Sequence, residues 1–262
     1  MSNAPIGIFD SGIGGITIYK EIHTLLPLEN IIYLADSKNA PYGGKSKEKI
    51  IEYSVKNTEF LIKNGCKLIV VACNTASTNA VKYLREHYKI PFIRVQPAIK
   101  PAALNSTTKN VGILATNGTL KSELLYETSQ RFAQDVHVTE QVGEGLVSLI
   151  ELGKTDSSEM TELLNKYLQP MLLKNIDQLV LGCTHYPFLI PQIKKIVGEK
   201  VNILDSGEAI ARQTKVILEQ EHLINNFNTK VSRKFYSNGN TAVLQYFLDT
   251  FKENLKAEKI DF

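Results

Sequence analysis

Residues 68–75 read Leu-Ile-Val-Val-Ala-Cys-Asn-Thr, an apolar run that ends in a cysteine followed by small polar residues. The run from Leu68 to Ala72 is short and continuously apolar, which is typical of a strand buried on both faces of a parallel sheet. A similar stretch, Val180-Leu181-Gly182-Cys183-Thr184-His185, follows 110 positions later. Each cysteine is therefore predicted to lie at the carboxyl end of a buried strand, in the loop that enters a helix.

Besides Leu68–Ala72, and counting the run before the second cysteine, seven apolar runs of strand length occur along the chain, separated by segments of helical period. They are Ile6–Phe9, Ile31–Ala35, Phe92–Val95, Val111–Ala115, Val136–Thr139, Leu179–Gly182 and Val201–Leu204. Nearly continuous apolar strands that alternate with amphipathic helices indicate an α/β fold with doubly wound parallel sheets.

Three of the intervening helices are well defined by their apolar periodicity. The first is predicted over Ser46–Asn64, with Gly65 as its stop. The second covers Ser158–Leu173, where Pro170 predicts a kink or an early end. The third covers Thr241–Leu255 near the end of the chain.

The chain also contains two related halves. The segment from Gly7 to Gly12 resembles the segment from Gly112 to Gly118, about 105 positions later, at nearly the offset that separates the two cysteine segments. We therefore predict two similar α/β domains related by pseudo-symmetry, comprising residues 1–97 plus 208–262 and residues 98–207. Such domains would enclose a cleft at the carboxyl ends of corresponding strands, where open α/β sheets place their ligands.

The composition narrows the class of protein and its partners. Of the 262 residues 43% are hydrophobic, and the net charge of +3 is scattered, so the concentrated basic face that nucleic acids require is not expected. No apolar stretch approaches the ~18 residues of a membrane-spanning helix and no signal peptide precedes Ile6, so no membrane partner is expected. Three cysteines far apart do not suggest disulfides, which favours a reducing cytoplasm.

The paired cysteines admit two interpretations. Each of Cys73 and Cys183 alone could be a small core hydrophobe at a strand end. Together, in matched positions of matched halves, they indicate chemistry, because backbone N–H groups at helix starts stabilise a thiolate and also bind carboxylates. Two such thiols could remove a proton from one face of a tetrahedral carbon and return one to the other. Cys66 has no counterpart in the other half, and we assign it to structure.

Two loops have both a structural and a functional interpretation. Asp10-Ser11-Gly12, with Gly14 and Gly15, follows the first strand and is either a capped turn, a phosphate-binding loop or a substrate loop in which Asp10 assists a thiol. It matches neither dinucleotide-binding nor Walker A spacing. Ala40-Pro41-Tyr42-Gly43-Gly44 is either a plain turn or a mobile cover for a small polar ligand.

Two further titratable residues carry no assignment from their local sequence. His185 lies two positions after Cys183, and Glu151 ends an apolar helical segment, where a glutamate is usually solvated. No spacing typical of metal ligands is present, so no metal site is expected.

Four segments, taken together, resemble the signature blocks of bacterial glutamate racemases, in the same order. These segments are Phe9-Asp10-Ser11-Gly12-Ile13-Gly14-Gly15, Ala40-Pro41-Tyr42-Gly43, Ala72-Cys73-Asn74-Thr75-Ala76-Ser77 and Gly182-Cys183-Thr184-His185-Tyr186-Pro187. The resemblance implies two α/β domains that enclose a glutamate, no cofactor, and supply of D-glutamate for peptidoglycan. A homodimer is compatible with it.

The same resemblance implies roles for particular residues. Cys73 and Cys183 would be the two acid/base residues, Asp10 would assist Cys73, and His185 would assist Cys183. Glu151 resembles an acidic residue near the second thiol of the family, although its local match is looser. Substrate contacts would come from a set of polar residues that flank the strands: Asp10, Ser11, Tyr42, Gly43, Asn74, Thr75, Thr184 and His185.

Three other functions compete with this interpretation. An aspartate racemase of the same superfamily is the nearest, although members that act on aspartate tend to carry Glu where this chain has His185. A two-lobed binding protein without catalysis would need neither thiol. A thiol redox protein would need the cysteines close together, which nothing in the sequence requires.

Overall fold

The strands of the structure follow the apolar runs of the sequence. The computed structural model describes residues 2–226, 230–251 and 253–262. All eight predicted strands are present, and two more follow near the end of the chain. The described strands are β1 (Ile6–Asp10), β2 (Ile31–Ala35), β3 (Leu68–Val71), β4 (Phe92–Arg94), β5 (Asn110–Ala115), β6 (His137–Val142), β7 (Gln178–Gly182), β8 (Asn202–Leu204), β9 (Arg233–Ser237) and β10 (Ala257–Lys259).

The ten strands form two parallel sheets, which confirms the predicted α/β class. The first sheet has the order β10-β9-β2-β1-β3-β4, and the second has the order β6-β5-β7-β8. Within each half the first four strands therefore lie in the same order: second, first, third, fourth. β1, β2 and β3 are buried along their whole length, as parallel strands covered on both faces must be.

The chain divides into two compact units. The first unit comprises Met1–Val95 and Gly207–Phe262 and holds the first sheet, and the second comprises Gln96–Ser206 and holds the second sheet. Hydrophobic side chains between strands and helices form a core in each unit, around Phe9 and Val71 in the first and around Ile113 and Val180 in the second.

Helices connect the parallel strands, as βαβ crossovers require. The described α-helices are α1 (Ile16–Leu25), α2 (Lys47–Lys63), α3 (Asn74–Asn79), α4 (Val81–His87), α5 (Ile99–Asn105), α6 (Asn117–Leu120), α7 (Glu123–Phe132), α8 (Leu146–Glu151), α9 (Ser158–Leu173), α10 (Ile190–Val197), α11 (Gly207–Gln220) and α12 (Thr241–Leu248). Short 3₁₀ turns cover Ser37–Asn39, Tyr42–Gly44 and Tyr186–Leu189. Within the described ranges, none of the helices has the length and apolarity to cross a membrane.

The predicted helix at Ser46–Asn64 is confirmed together with both of its ends. The Ser46 hydroxyl caps α2 by accepting the N–H of Lys49, and Gly65 adopts φ +75° immediately after the helix. The left-handed conformation favours glycine because it has no Cβ. Helix α9 also matches its predicted range. An early end at Pro170 does not occur, since the helix continues three residues beyond it.

One prediction near the end of the chain is wrong, and two strands there were not predicted. The apolar stripe predicted a helix over Thr241–Leu255, but α12 ends at Leu248. The chain turns there because it returns to form β10, and the Gln245 side chain accepts the N–H of Ala257 at the start of that strand. β9 and β10 were not predicted, because β9 is charged at Arg233 and β10 is a short edge strand without apolar character.

A buried ion pair joins distant segments of the first unit. Lys67 Nζ lies 2.6 Å from Glu29 Oε2, and both side chains are at most 3% exposed. The same ammonium donates to the carbonyls of Ser2 and Leu223, and Glu29 Oε1 accepts the N–H of Asn225. Burial lowers the pKa of Lys67 against the opposing effect of Glu29. Both charges are thus held by one another and by backbone groups, and the pair connects the N-terminal segment and the segment after α11 to the start of β3.

Replacing Lys67 by methionine is expected to destabilise the protein by about 3–5 kcal/mol, because it leaves the Glu29 carboxylate buried and unpaired. The measurement is the urea unfolding midpoint followed by circular dichroism. Lys63→Met, an exposed lysine in the last turn of α2, is the matched control and should change the midpoint little. Adding Glu29→Gln to Lys67→Met should recover part of the loss. Equal midpoints for Lys67→Met and Lys63→Met would contradict this assignment.

Candidate active site

Cys73 lies at the carboxyl end of β3 and is the N-cap residue of α3. Its Sγ accepts the backbone N–H of Ala76 at 3.5 Å and can donate to the Ser11 hydroxyl at 3.6 Å. The side chain is buried. Because N–H groups at a helix start stabilise negative charge, this position suits a thiolate better than an ordinary core position does.

The glycine-rich turn after β1 brings Ser11 beside this thiol. Asp10, the last residue of β1, accepts the N–H of Gly15 on its Oδ2 at 2.8 Å. A Cβ on Gly15 would lie 2.9 Å from Asp10 Cβ and 3.0 Å from Ala72 Cβ, so only glycine lets the turn pack this closely on β1 and β3. The carboxylate therefore has a structural partner within the turn and lies next to the strand that leads to Cys73.

Tyr42 is buried, and its hydroxyl is part of a polar network. The hydroxyl donates a short hydrogen bond to Asp36 Oδ2 and accepts one from Asn57 Nδ2 at 3.2 Å. Burial, Asp36 and the charge of Cys73 together raise the pKa of Tyr42 well above its usual range. Tyr42 packs in the same hydrophobic cluster as Cys73, while Gly43 follows it in the 3₁₀ turn Tyr42–Gly44.

The residues after Cys73 place polar groups in a buried position. Asn74 and Thr75 form the first turn of α3, and both side chains are buried. Within the described ranges Asn74 Nδ2 has no hydrogen-bond partner, although it is inaccessible to solvent. Because an unsatisfied buried donor is costly, this amide is a strong candidate for a ligand contact.

Cys183 occupies the corresponding place in the second unit, directly after β7. Its Sγ lies 3.8 Å from His185 Nδ1, and His185 Nε2 lies 2.6 Å from Glu151 Oε1 at the end of α8. The Glu151 carboxylate can only accept, so it fixes the proton on Nε2 and leaves Nδ1 facing the sulfur. Cys183, His185 and Glu151 thus form one hydrogen-bonded chain, in the order that the family resemblance implies.

The electrostatics of His185 follow from this chain. Burial disfavours the imidazolium, but its hydrogen bonds to Cys183 and Glu151 outweigh burial and raise the pKa of His185 well above its ordinary value. A protonated His185 donates from Nδ1 to a thiolate, and a neutral one accepts the thiol proton. Thr184 between them is buried, and the Tyr186 hydroxyl donates to the carbonyl of Gly143, which precedes α8.

Cys66 differs from the other two cysteines in its surroundings. Burial alone raises the pKa of Cys66 to about 12, and the sulfur lies beside Gly7 in the hydrophobic cluster that also contains Leu61. A thiol with this pKa stays protonated at neutral pH and is a poor base. Its environment suits the structural role expected from the sequence.

The structure thus collects Asp10, Ser11, Tyr42, Gly43, Cys73, Asn74 and Thr75 in the first unit and Glu151, Cys183, Thr184 and His185 in the second. The Tyr42 network also contains Asn39 and Asn238, which both donate to Asp36. Four residues of this network were not selected from the sequence: Asp36, Asn39, Asn57 and Asn238. Asp36 could have been, because it directly follows the buried strand β2. In the part of the chain that the structure describes, no three His, Cys, Asp or Glu side chains are grouped to hold a metal ion.

Cysteines at matched strand ends of an α/β fold are the feature of this site that remains to be explained. Comparison with known sequences identifies the class of enzyme that has it. The sequence model of the Asp/Glu/hydantoin racemase family matches residues 7–214, which is most of the chain. The chain therefore belongs to this family and is a racemase.

Within the family the chain belongs with the glutamate racemases. It is 44% identical over 242 residues to the glutamate racemase of Herpetosiphon aurantiacus, covering 92% of this chain and 95% of that protein. Its structure resembles glutamate racemase RacE1 of Bacillus anthracis, with a TM-score of 0.89, 30% identity and coverage of 100% and 98%. It also resembles Escherichia coli glutamate racemase crystallised with L-glutamate and an activator, with a TM-score of 0.87, 34% identity and 98% of each chain covered.

Proposed function

We propose that the protein interconverts L-glutamate and D-glutamate without a cofactor, with Cys73 and Cys183 as its two acid/base residues. The observation that carries this proposal is that each cysteine follows the third strand of its half, and that the first four strands of each half lie in the same order. One thiolate removes the α-proton and the other thiol returns a proton to the opposite face of the α-carbon. Two bases are needed because inversion requires the planar intermediate to be protonated on the face opposite the one that was deprotonated.

The surroundings of each thiol support this proton transfer in different ways. For Cys183, His185 exchanges a proton with the sulfur while Glu151 holds the imidazole in place. For Cys73, the N–H of Ala76 and the Ser11 hydroxyl stabilise the charged sulfur, and Asp10 assists from the adjacent strand end. The enzyme thus pairs one histidine-assisted thiol with one thiol supported by a helix start and a hydroxyl.

Buried donors near the thiols would hold the substrate. The unused amide donor of Asn74 can bind a carboxylate. Ser11, Thr75, Thr184 and His185 contribute further side-chain contacts, and Tyr42 and Gly43 contribute contacts through their backbone. The α-proton of an amino acid is very weakly acidic, so a carbanion-like state needs preorganised donors in a site that excludes water. The L-glutamate bound to the E. coli relative supports glutamate as the substrate.

The proposed product gives the protein a cellular role. D-glutamate would be supplied for peptidoglycan synthesis in a reducing cytoplasm, which fits three described cysteines that form no disulfide.

The purified protein is expected to racemise L-glutamate and D-glutamate to the same final mixture without added cofactor. A circular dichroism time course started from each enantiomer measures this, and aspartate under the same conditions should react far more slowly. Full activity after dialysis against a chelator is part of the expected result. Faster reaction with aspartate, activity that requires pyridoxal phosphate, or no change of signal with either amino acid would refute the proposal.

A further inference from the structure

A polar cluster in the first unit extends from the Tyr42 turn to the end of β9. Asp36, Asn39 and Tyr42 lie in the segment after β2, Asn57 lies in α2, and Asn238 follows β9. Asn238 lies about 200 positions from its partners in the sequence, and beyond residue 214, where the match to the racemase family ends. Neither the catalytic proposal nor the family resemblance gives it a role.

Both polar atoms of the Asn238 side chain form hydrogen bonds with the segment that contains Asp36. Its Nδ2 donates to Asp36 Oδ1 at 2.5 Å, and its Oδ1 accepts the backbone N–H of Lys38 at 3.0 Å. The backbone packs closely as well, since a Cβ on Gly239 would lie 2.9 Å from Ser37 Cβ. An amide that bridges a carboxylate and a backbone N–H fixes the position of the turn between them.

Asp36 connects Asn238 to Tyr42 by hydrogen bonds. Its carboxylate is buried, accepts from Asn238 and Asn39 on one oxygen, and accepts the Tyr42 hydroxyl on the other. The Tyr42 hydroxyl has no second proton to donate, so it anchors the turn rather than donating to a ligand. Tyr42 in turn packs in the hydrophobic cluster that contains Cys73.

We infer that Asn238 is a positioning residue of the active site, which holds the Tyr42–Gly44 turn against Cys73 through Asp36. The inference rests on the proposed function, because it assigns the turn to substrate binding. Asn238 touches none of the reacting groups. Its loss should therefore loosen binding and uncover the thiol of Cys73 without removing either base.

The test compares Asn238→Ala with Asn240→Ala, a matched control two positions away. Asn240 is exposed, and its side chain caps α12 by accepting the N–H of Ala242, so its loss affects a helix end but not Asp36. We expect Asn238→Ala to raise KM for glutamate about tenfold while kcat changes about twofold or less, as loss of uniform binding does. Asn240→Ala should match the wild type in both constants.

A second readout does not depend on racemisation. Alkylation by iodoacetamide, followed by mass spectrometry, gives the rates at Cys73 and Cys183 in the same sample. Asn238→Ala should accelerate modification of Cys73 about fivefold or more and leave Cys183 unchanged, whereas Asn240→Ala should alter neither rate. Tyr42→Phe, which removes the anchored hydroxyl, should reproduce the Cys73 effect even if Asn238→Ala fails to fold.

The outcomes separate the two proposals. If the wild type does not racemise glutamate, the proposed function fails, while the alkylation rates still report on the anchoring of the turn. A folded Asn238→Ala with wild-type KM and a wild-type rate at Cys73 would overturn the positioning role. So would a wild-type Cys73 rate in Tyr42→Phe, or an equal effect of Asn240→Ala.

Discussion

Cys73→Ser and Cys183→Ser are each expected to lower the rate of glutamate racemisation by about 10²–10⁴-fold, the range typical of lost general acid/base catalysis. A serine hydroxyl is a far weaker acid than a thiol and cannot serve as a base at neutral pH. Its similar size should leave the fold intact. The circular dichroism time course measures the rate, and far-ultraviolet spectra of both variants check folding.

The two variants should differ on a substrate that needs only one base. From a glutamate analogue with a leaving group on Cβ, a single thiolate removes the α-proton, and the leaving group departs with the Cβ bonding electrons. No proton is returned from the other face. The family resemblance implies that Cys73 is the base for the D-enantiomer and that Cys183 is the base for the L-enantiomer, and we predict this assignment. Cys73→Ser should therefore spare elimination from the L-analogue, and Cys183→Ser elimination from the D-analogue.

Cys66→Ser is the matched control, because Cys66 precedes β3, at the opposite end of the strand from Cys73, and its thiol stays protonated. Racemisation and both eliminations should remain near wild type in this variant. Equal loss of both eliminations in Cys73→Ser and in Cys183→Ser, with the fold intact, would refute the division of labour between the two faces.

His185→Asn should slow elimination from the L-analogue by about 10²–10³-fold and leave the D-analogue within a few-fold of wild type. Asparagine has no titratable nitrogen, so Cys183 loses the group that exchanges its proton, while Cys73 keeps its own partners. Racemisation should fall with the slower half-reaction. Glu151→Gln should have a smaller effect on the same enantiomer, because the amide oxygen can still accept from Nε2 but carries no charge.

His137→Asn, an exposed histidine on β6 of the same unit, is the control for this prediction. It should not change either elimination. The assignment of His185 to Cys183 would be wrong if His185→Asn impaired the D-analogue as strongly as the L-analogue, or if it had no effect on either.

The sequence determined the fold class because strands buried in a parallel sheet need continuous apolar runs, and such runs are recognisable in a single sequence. The sequence also distinguished Cys73 and Cys183 from Cys66, because only the first two cysteines follow apolar runs that match one another. The α12 prediction failed for a related reason. An apolar stripe indicates which residues are buried, but it does not show whether they continue a helix. The stripe extends beyond Leu248, whereas the helix ends there and the chain returns to pair β10 with β9.

The structure alone decided which polar groups work together. Glu151 reads as an ordinary helix end in the sequence, and only folding places its carboxylate 2.6 Å from His185. Asp36 and Asn238 meet across about 200 positions of chain, because β9 is inserted beside β2 in the first sheet. The physical reason is that apolar periodicity is a local signal, whereas a hydrogen bond between distant segments depends on strand order and register, which single residues do not encode.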